Sequence, residues 1–258
     1  MRPLRQVHPG LPPLCPLATG MIREHFEFRQ TIATILADEP GHVEAAKSGM
    51  MAARQEVERQ IATDPYFSAT LEPYTPEAPG RTVGRMARAA EEAGVGPMAA
   101  VAGAIAWAGV EAMVDAGASF GLVDNGGDIA LVSDREVKIG VFAGASPLSG
   151  RIAFLLPPQE GILGICTSSA TVGPSISFGI ADAVTVFSPD VACADAWATA
   201  ICNQITRDDT SILDALPGTE IRGVLAVIGD VVIRWGDLPP VVRARVDERL
   251  ITAGRPPV

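Results

Sequence analysis

Residues 119–132 read SFGLVDNGGDIALV. Two short apolar runs, Phe120 to Val123 and Ile129 to Val132, flank Asp124-Asn125-Gly126-Gly127-Asp128. Asn-Gly between β-rich runs is a strong hairpin signal. Similar runs follow at Val137 to Phe142, Ile152 to Leu156, Ile162 to Cys166 and Ala183 to Phe187, separated by Gly, Ser and Pro. A second hairpin pairs Val224 to Ile228 with Val231 to Trp235 across Gly229-Asp230. Tight turns of this kind join antiparallel neighbours, since a parallel crossover needs a dozen residues or more.

Most helical signals lie before this region. After one or two strands between Glu24 and Leu36, Val43 to Ala62 carries helix formers and ends at Asp64-Pro65. A proline-rich link from Leu71 to Pro79 leads to a helix at Thr82 to Ala93, with Val83, Met86 and Ala90 on one face. Gly94 and Gly96 stop it. Pro97 suits the first position of the next helix, Met98 to Ala116, whose Ala99, Gly103 and Ala106 admit close backbone approach. A helix is expected from Val191 to Ile205, a short one near Ile212 and a last one from Val241 to Ile251. Helices and antiparallel strands thus segregate along the chain, which predicts an α+β domain and not a doubly wound sheet.

Composition narrows the chemistry. The chain has 258 residues, 48% of them hydrophobic, enough for one large core. Thirty acidic against twenty basic residues, a formal charge of −10, disfavour nucleic acid as a partner. The three histidines, His8, His25 and His42, fall in the first sixth of the chain, and Lys47 and Lys138 are the only lysines. A histidine zinc cluster and a phosphate-loop lysine are therefore excluded. Four cysteines without a Cys-x-x-Cys pair read as reduced thiols of a cytoplasmic protein. Residues 1–20, broken by prolines, are expected to form a flexible arm, and 21–258 a single domain. The uncharged run Ala93 to Val110 reads as a buried helix and not a membrane span.

Several segments hold candidate functional residues. In the 124–128 turn, Gly126 and Gly127 serve a simple hairpin or let a ligand approach the backbone, with Asn125 and Asp128 supplying an amide and a carboxylate. Residues 161–181 carry no charge; Thr167, Ser168, Ser169, Gly173 and Ser175 either cradle a phosphate or ribose or belong to a long polar loop. Gly173-Pro174-Ser175-Ile176-Ser177 falls short of a nucleophile elbow, and no histidine follows it. Asp195 and Thr199 are four apart on one helix and offer two hard oxygens to magnesium, unless Asp195 is simply hydrogen-bonded near a helix N-terminus. Asp182 is a second candidate acid. Gly94-Val95-Gly96-Pro97-Met98-Ala99 has the letters of a dinucleotide fingerprint but follows a helix; what remains is a helix–helix turn, or free helix N–H groups that suit an anion. Trp107 and Trp197 are expected in the core.

Together, Asn125-Gly126-Gly127-Asp128, Thr167-Ser168-Ser169, Val184-Thr185-Val186 and Ala194-Asp195 with Thr199 resemble the ApbE-like superfamily, known for flavin transferases that use magnesium to move FMN from FAD onto a protein threonine. An ApbE-related branch of unknown function is closer still, through Gly94 to Gly103 and Gly164-Ile165-Cys166-Thr167-Ser168-Ser169. The resemblance implies a T-fold-like architecture of antiparallel sheets with packed helices. It also implies Mg²⁺ at Asp195 and Thr199, and a nucleotide site at Asn125 to Asp128 that takes FAD or another phosphate-bearing small molecule. In a transferase, Asp128 or Asp182 would orient or deprotonate the acceptor hydroxyl. A homodimer stays open, and neither nucleic acid nor membrane is expected.

This chain departs from the transferases at three places. Their Asp-Leu-Gly-x-Ile-Ala-Lys-Gly corresponds to Pro97 to Ala104, which lacks the acid and the lysine. Their His-x-x-Asp-Pro-x-Thr-Gly signature is absent, and Pro174 stands where the closer branch usually has histidine. The alternative is therefore a metabolic accessory protein or enzyme that keeps the fold and pocket for another ligand, for example in sulfur metabolism. Cys166 would serve that chemistry, or be an inert core residue.

Overall fold

The computed structural model describes residues 20–170, 179–246 and 252. It opens with a hairpin, β1 (Ile22–Phe28) and β2 (Thr31–Ala37), turning at Arg29-Gln30. Next come α1 (Pro40–Thr63), the short α2 (Tyr66–Ala69) and α3 (Arg81–Ala93). A 3-10 turn at Pro97–Ala100 leads into α4 (Val101–Asp115). Six strands follow: β3 (Phe120–Asn125), β4 (Asp128–Ser133), β5 (Val137–Gly140), β6 (Ile152–Leu156), β7 (Leu163–Ser168) and β8 (Ala183–Ser188). The chain continues with α5 (Val191–Gln204), a 3-10 turn at Ser211–Ala215, the hairpin β9 (Gly223–Ile228) and β10 (Val231–Gly236), and β11 (Val241–Arg243).

Eight strands form one antiparallel sheet in the order β1-β2-β3-β4-β7-β8-β9-β10, and β11-β6-β5 form a second, smaller one. The chain thus has the α+β class expected of it. Side-chain alternation gives the large sheet two apolar faces. Ala130, Cys166, Val184, Val186 and Ala226 face the helices, whereas Ile129, Leu131, Ile165, Phe187 and Leu225 face the small sheet and meet Val141, Phe154 and Leu156 there. Phe154 and Phe187 join the two sheets edge to face, 4.8 Å between centroids.

Small residues set the helix layer. A Cβ on Gly103 would lie 2.8 Å from both Asp195 Cβ and the Val191 carbonyl oxygen, so α4 and α5 approach as closely as they do because position 103 is glycine. Pro97–Asp115 is, among the described residues, the one helical stretch long and apolar enough to cross a membrane. It packs between α1, α3, α5 and strands β3 and β4, the position of a core helix.

Two details correct the sequence-based expectations. The helix expected at Val241 to Ile251 begins instead as a strand, Val241–Arg243, because these residues complete an apolar edge beside β6; Ala244 and Val246 then donate N–H groups to Arg151 and Gly150, and residues 247–251 lie outside the described residues. The helix expected from Met98 begins as the 3-10 turn, with α4 starting at Val101. Residues 1–19, the body of the expected arm, also lie outside the described residues.

Candidate functional site

The β3–β4 hairpin places the 124–128 turn at one end of the large sheet. Asn125 pairs with Asp128, leaving Gly126 and Gly127 as the two turn residues, at φ 72° and 107°. Positive φ at both is what a tight primed turn needs, and glycine reaches it without a side-chain penalty. Asp124 fastens the turn by accepting the Gly127 N–H at 2.8 Å. Asn125 is buried and donates to the Ala102 carbonyl oxygen on α4 at 3.0 Å, locking the hairpin to the helix layer.

The turn projects into a cleft of about 1260 Å³, larger than the roughly 300–1,000 Å³ typical of small-molecule pockets. One wall comes from the helices, with Val57, Ile61, Met98, Val101 and Ile105. Another comes from the small sheet, with Ile139 and Phe154, and from Phe142 just beyond β5. Arg23, Arg29, Arg54, Lys138 and Arg245 also line it, against the acids Glu58, Asp124 and Asp128. In a chain with ten more acids than bases, five cations to three acids is a local reversal of charge. Glu58 neutralises part of it by accepting from Arg29 at 2.7 Å and Arg54 at 2.9 Å. Exposed Lys138 and Arg245 form no ion pair among the described residues.

Behind the turn is a desolvated carboxylate pair. Asp128 lies opposite Cys166 across the β4–β7 register, on the helix-facing side of the sheet. Burial lifts its carboxyl well above the usual range, and the charges of Asp195 and Asp124 add to the rise, while the nearby Cys166 thiol and Thr167 N–H oppose it. Asp195, on α5, is raised by burial too, against hydrogen bonds from the Gly103 and Ala102 N–H groups. Its Oδ2 accepts the Gly103 N–H at 2.8 Å. Asp195 is thus the anion at the N-terminus of α4, a position favoured by the free N–H groups and the helix dipole. The helix N–H groups that suit an anion are already occupied by this chain's own carboxylate.

The structure gathers Asn125, Gly126, Gly127, Asp128, Thr167 and Ser169 at the cleft. Thr167 and Thr185, neighbours on β7 and β8, share a hydroxyl–hydroxyl hydrogen bond of 2.9 Å at its floor. Ser168 is buried and points from β7 toward the helix layer, alternating with Thr167. Asp195 lies behind Asp128, and Thr199 is half-buried one helical turn further along α5. Asp182 is elsewhere: its carboxylate accepts the Gly229 N–H at 2.6 Å and closes the β9–β10 turn. Gly173 and Ser175 lie outside the described residues.

Other motifs resolve into packing. Gly94 caps α3 in the left-handed conformation at φ 69°, and the Val95 N–H reaches the Ala90 carbonyl oxygen at 3.0 Å, so Gly94 to Ala99 is a helix–helix turn. Cys166 is fully buried, and desolvation and the two carboxylates raise its thiol well above the usual range. Trp197 is in the core and donates to Glu92 at 2.9 Å, whereas Trp107 is half-buried beneath the Arg85 guanidinium, 3.7 Å away. Arg54, Lys138, Arg245, Thr34 and Thr252 line the cleft without having been singled out in the sequence. All but Lys138 are distant from the turn along the chain, and no local motif marks them.

Residues 17–222 match the family described as AbpE bacteria. A UPF0280 protein of Methanoculleus marisnigri is 83% identical over 234 residues, covering 91% of this chain and 96% of that protein. A UPF0280 protein of Methanosphaerula palustris is 59% identical, covering 91% and 99%. Among solved structures, the ApbE protein of Thermotoga maritima superposes with a TM-score of 0.51 at 14% identity, covering 83% of this chain and 96% of that one, a likeness of fold. The chain belongs to the UPF0280 branch of the ApbE-like family.

Proposed function

We propose that this protein binds a phosphate-bearing nucleotide, FAD or a relative of it, in the cleft around the Asn125–Asp128 turn, with Mg²⁺ at Asp195 and Thr199. The observation that carries the reading is the cleft itself: an apolar cavity of about 1260 Å³ with a glycine turn at one end and a local excess of cations, in an otherwise acidic protein. Apolar walls suit a ring system. Lys138 and Arg245, without ion pairs among the described residues, suit phosphate oxygens.

A divalent cation would find two desolvated carboxylates here, Asp128 in the cleft lining and Asp195 behind it and outside the lining. Asp128 and Asp195 are both desolvated, Asp195 adds its charge to the rise at Asp128, and neither makes an ion pair among the described residues. A cation would relieve that repulsion. No group of three or more His, Cys, Asp or Glu side chains among the described residues is placed to share an ion. Asp195 and the Thr199 hydroxyl would be the residues that hold Mg²⁺, an ion that usually takes few protein ligands. When bound, it would supply charge stabilisation at a pyrophosphate.

FMN transfer is the narrower form of this reading. There Asp128, the acid at the cleft, would accept the proton of an acceptor hydroxyl, and Thr167 and Thr185 would hold the ligand by hydrogen bonds; Asp182 is assigned to the β9–β10 turn. The alternative based on sulfur chemistry at Cys166 is disfavoured by the buried, protonated thiol. A cytoplasmic location accords with the free buried cysteines Cys166, Cys193 and Cys202. The test is a fluorescence titration of FAD with the purified full chain in Mg²⁺. Saturable quenching supports the proposal, and an unchanged signal at high protein concentration overturns its flavin form.

A further inference from the structure

Glycines give the Gly126–Gly127 turn its shape but no side chain to hold it. That task falls to Asp124, whose two carboxylate oxygens are divided between two partners. Oδ1 accepts the Gly127 N–H at 2.8 Å, and Oδ2 accepts the hydroxyl of Thr252. Thr252 is 3% exposed, and its Oγ1 also lies 3.0 Å from the hydroxyl of Thr34, itself buried and directly opposite Asp124 in the β2–β3 register. All three side chains line the cleft. A residue 128 positions beyond Asp124 in sequence therefore fixes the carboxylate that fixes the turn.

We infer that Thr252 is a positioning residue of the ligand site, acting through Asp124 on the Gly126–Gly127 turn. The inference rests on the proposed ligand site for its functional consequence but not for its geometry. A carboxylate with one oxygen unpaired in a desolvated place turns toward other donors or water, and the Gly127 N–H then loses its partner. The backbone between Asn125 and Asp128, where the ligand is proposed to dock, would lose its fixed shape. Thr252, beyond the 17–222 family match, thereby becomes part of the site.

The test compares the full chain with Thr252→Val, which keeps the shape and removes the hydroxyl, and Thr252→Ser, which keeps the hydroxyl. Amide hydrogen exchange is followed without ligand, and FAD binding in Mg²⁺ is measured alongside. The expected result is exchange at Gly127 faster by about tenfold or more in Thr252→Val, unchanged exchange in β7 and β8, FAD affinity weaker by about tenfold, and recovery of both in Thr252→Ser. Unchanged Gly127 exchange in Thr252→Val overturns the inference. So does a loss of protection that spreads through β7 and β8, a faster turn with unaltered FAD affinity, or a serine variant that behaves like valine. If the unsubstituted chain binds no FAD, the proposed function fails while the exchange comparison still decides whether Thr252 positions the turn.

Discussion

Replacing Gly103 with alanine sets two magnitudes against each other. Helix propensity alone favours Ala over Gly in a helix interior by about 1 kcal/mol. The structure opposes it, because the new methyl would lie 2.8 Å from Asp195 Cβ, 2.8 Å from the Val191 carbonyl oxygen and 3.2 Å from Asp195 Oδ2. Two of these three contacts are with the Asp195 side chain that accepts the Gly103 N–H, so α4 and α5 cannot separate without stretching that bond. Overpacking costs roughly 1–3 kcal/mol and a weakened hydrogen bond to a charged group roughly 1.5–3 kcal/mol. The net expectation is a loss of roughly 1.5–5 kcal/mol, a fall in Tm of roughly 3–20 °C for a domain of this size. Gly84 in α3 is the control: a Cβ there meets only Pro79, at 3.7 Å, and Gly84→Ala is expected to stabilise by up to about 1 kcal/mol. Thermal and urea unfolding of both variants provide the assay. A Gly103→Ala protein as stable as the parent, or more so, would refute the claim that Gly103 sets the distance between α4 and α5.

Further predictions concern the site. Asp128 and Asp195 both titrate above their unfolded values, so the folded chain holds more protons from about pH 4 up to the folded pKa values. Their contribution to stability consequently falls as pH rises through that window. Asp128→Asn is expected to raise Tm at pH 7 in EDTA and to flatten the dependence relative to the parent; a variant with lower Tm and the same slope contradicts the coupling. Gly127→Ala forces a side chain to φ 107° and is expected to cost roughly 1–2 kcal/mol in urea unfolding and to weaken FAD binding; an unperturbed variant means the turn is not held in this conformation. Peptide mapping after alkylation should find Cys166 unmodified in the native chain and modified only on unfolding. Rapid native modification would place it outside the core.

Local signals carried most of the fold. Asn125-Gly126-Gly127-Asp128 and Gly229-Asp230 marked their hairpins because turn chemistry is local, and Asp64-Pro65 and Gly94 ended α1 and α3 where backbone restrictions required it. The C-terminal stretch failed for the opposite reason. Val241–Arg243 has helix-compatible neighbours, and its strand state comes from pairing with β6, some ninety residues earlier in the chain. The same division runs through the candidate site. Asp128 was marked by its glycine turn and Asp195 by its spacing to Thr199, but the effect of Asp195 on Asp128 arises because α5 packs against β7 beside β4. Gly94 to Ala99 forms the helix–helix turn, and the N–H of Gly103 in the first turn of α4 meets Asp195, a carboxylate from a helix ninety residues later. Thr252, Lys138 and Arg245 had no local mark, since only the closure of the small sheet beside the turn brings them to the cleft.

The central claim is that the cleft takes a phosphate-bearing nucleotide together with a cation at Asp195. Calorimetric titration of the full chain with FAD, in Mg²⁺ and then in EDTA, with Asp195→Ala in parallel, tests it most directly. Saturable binding is expected in Mg²⁺, with weakening of about tenfold or more in EDTA and no Mg²⁺ dependence in Asp195→Ala. Binding that is equally tight in EDTA, or an Asp195→Ala chain that keeps the full Mg²⁺ effect, would contradict it.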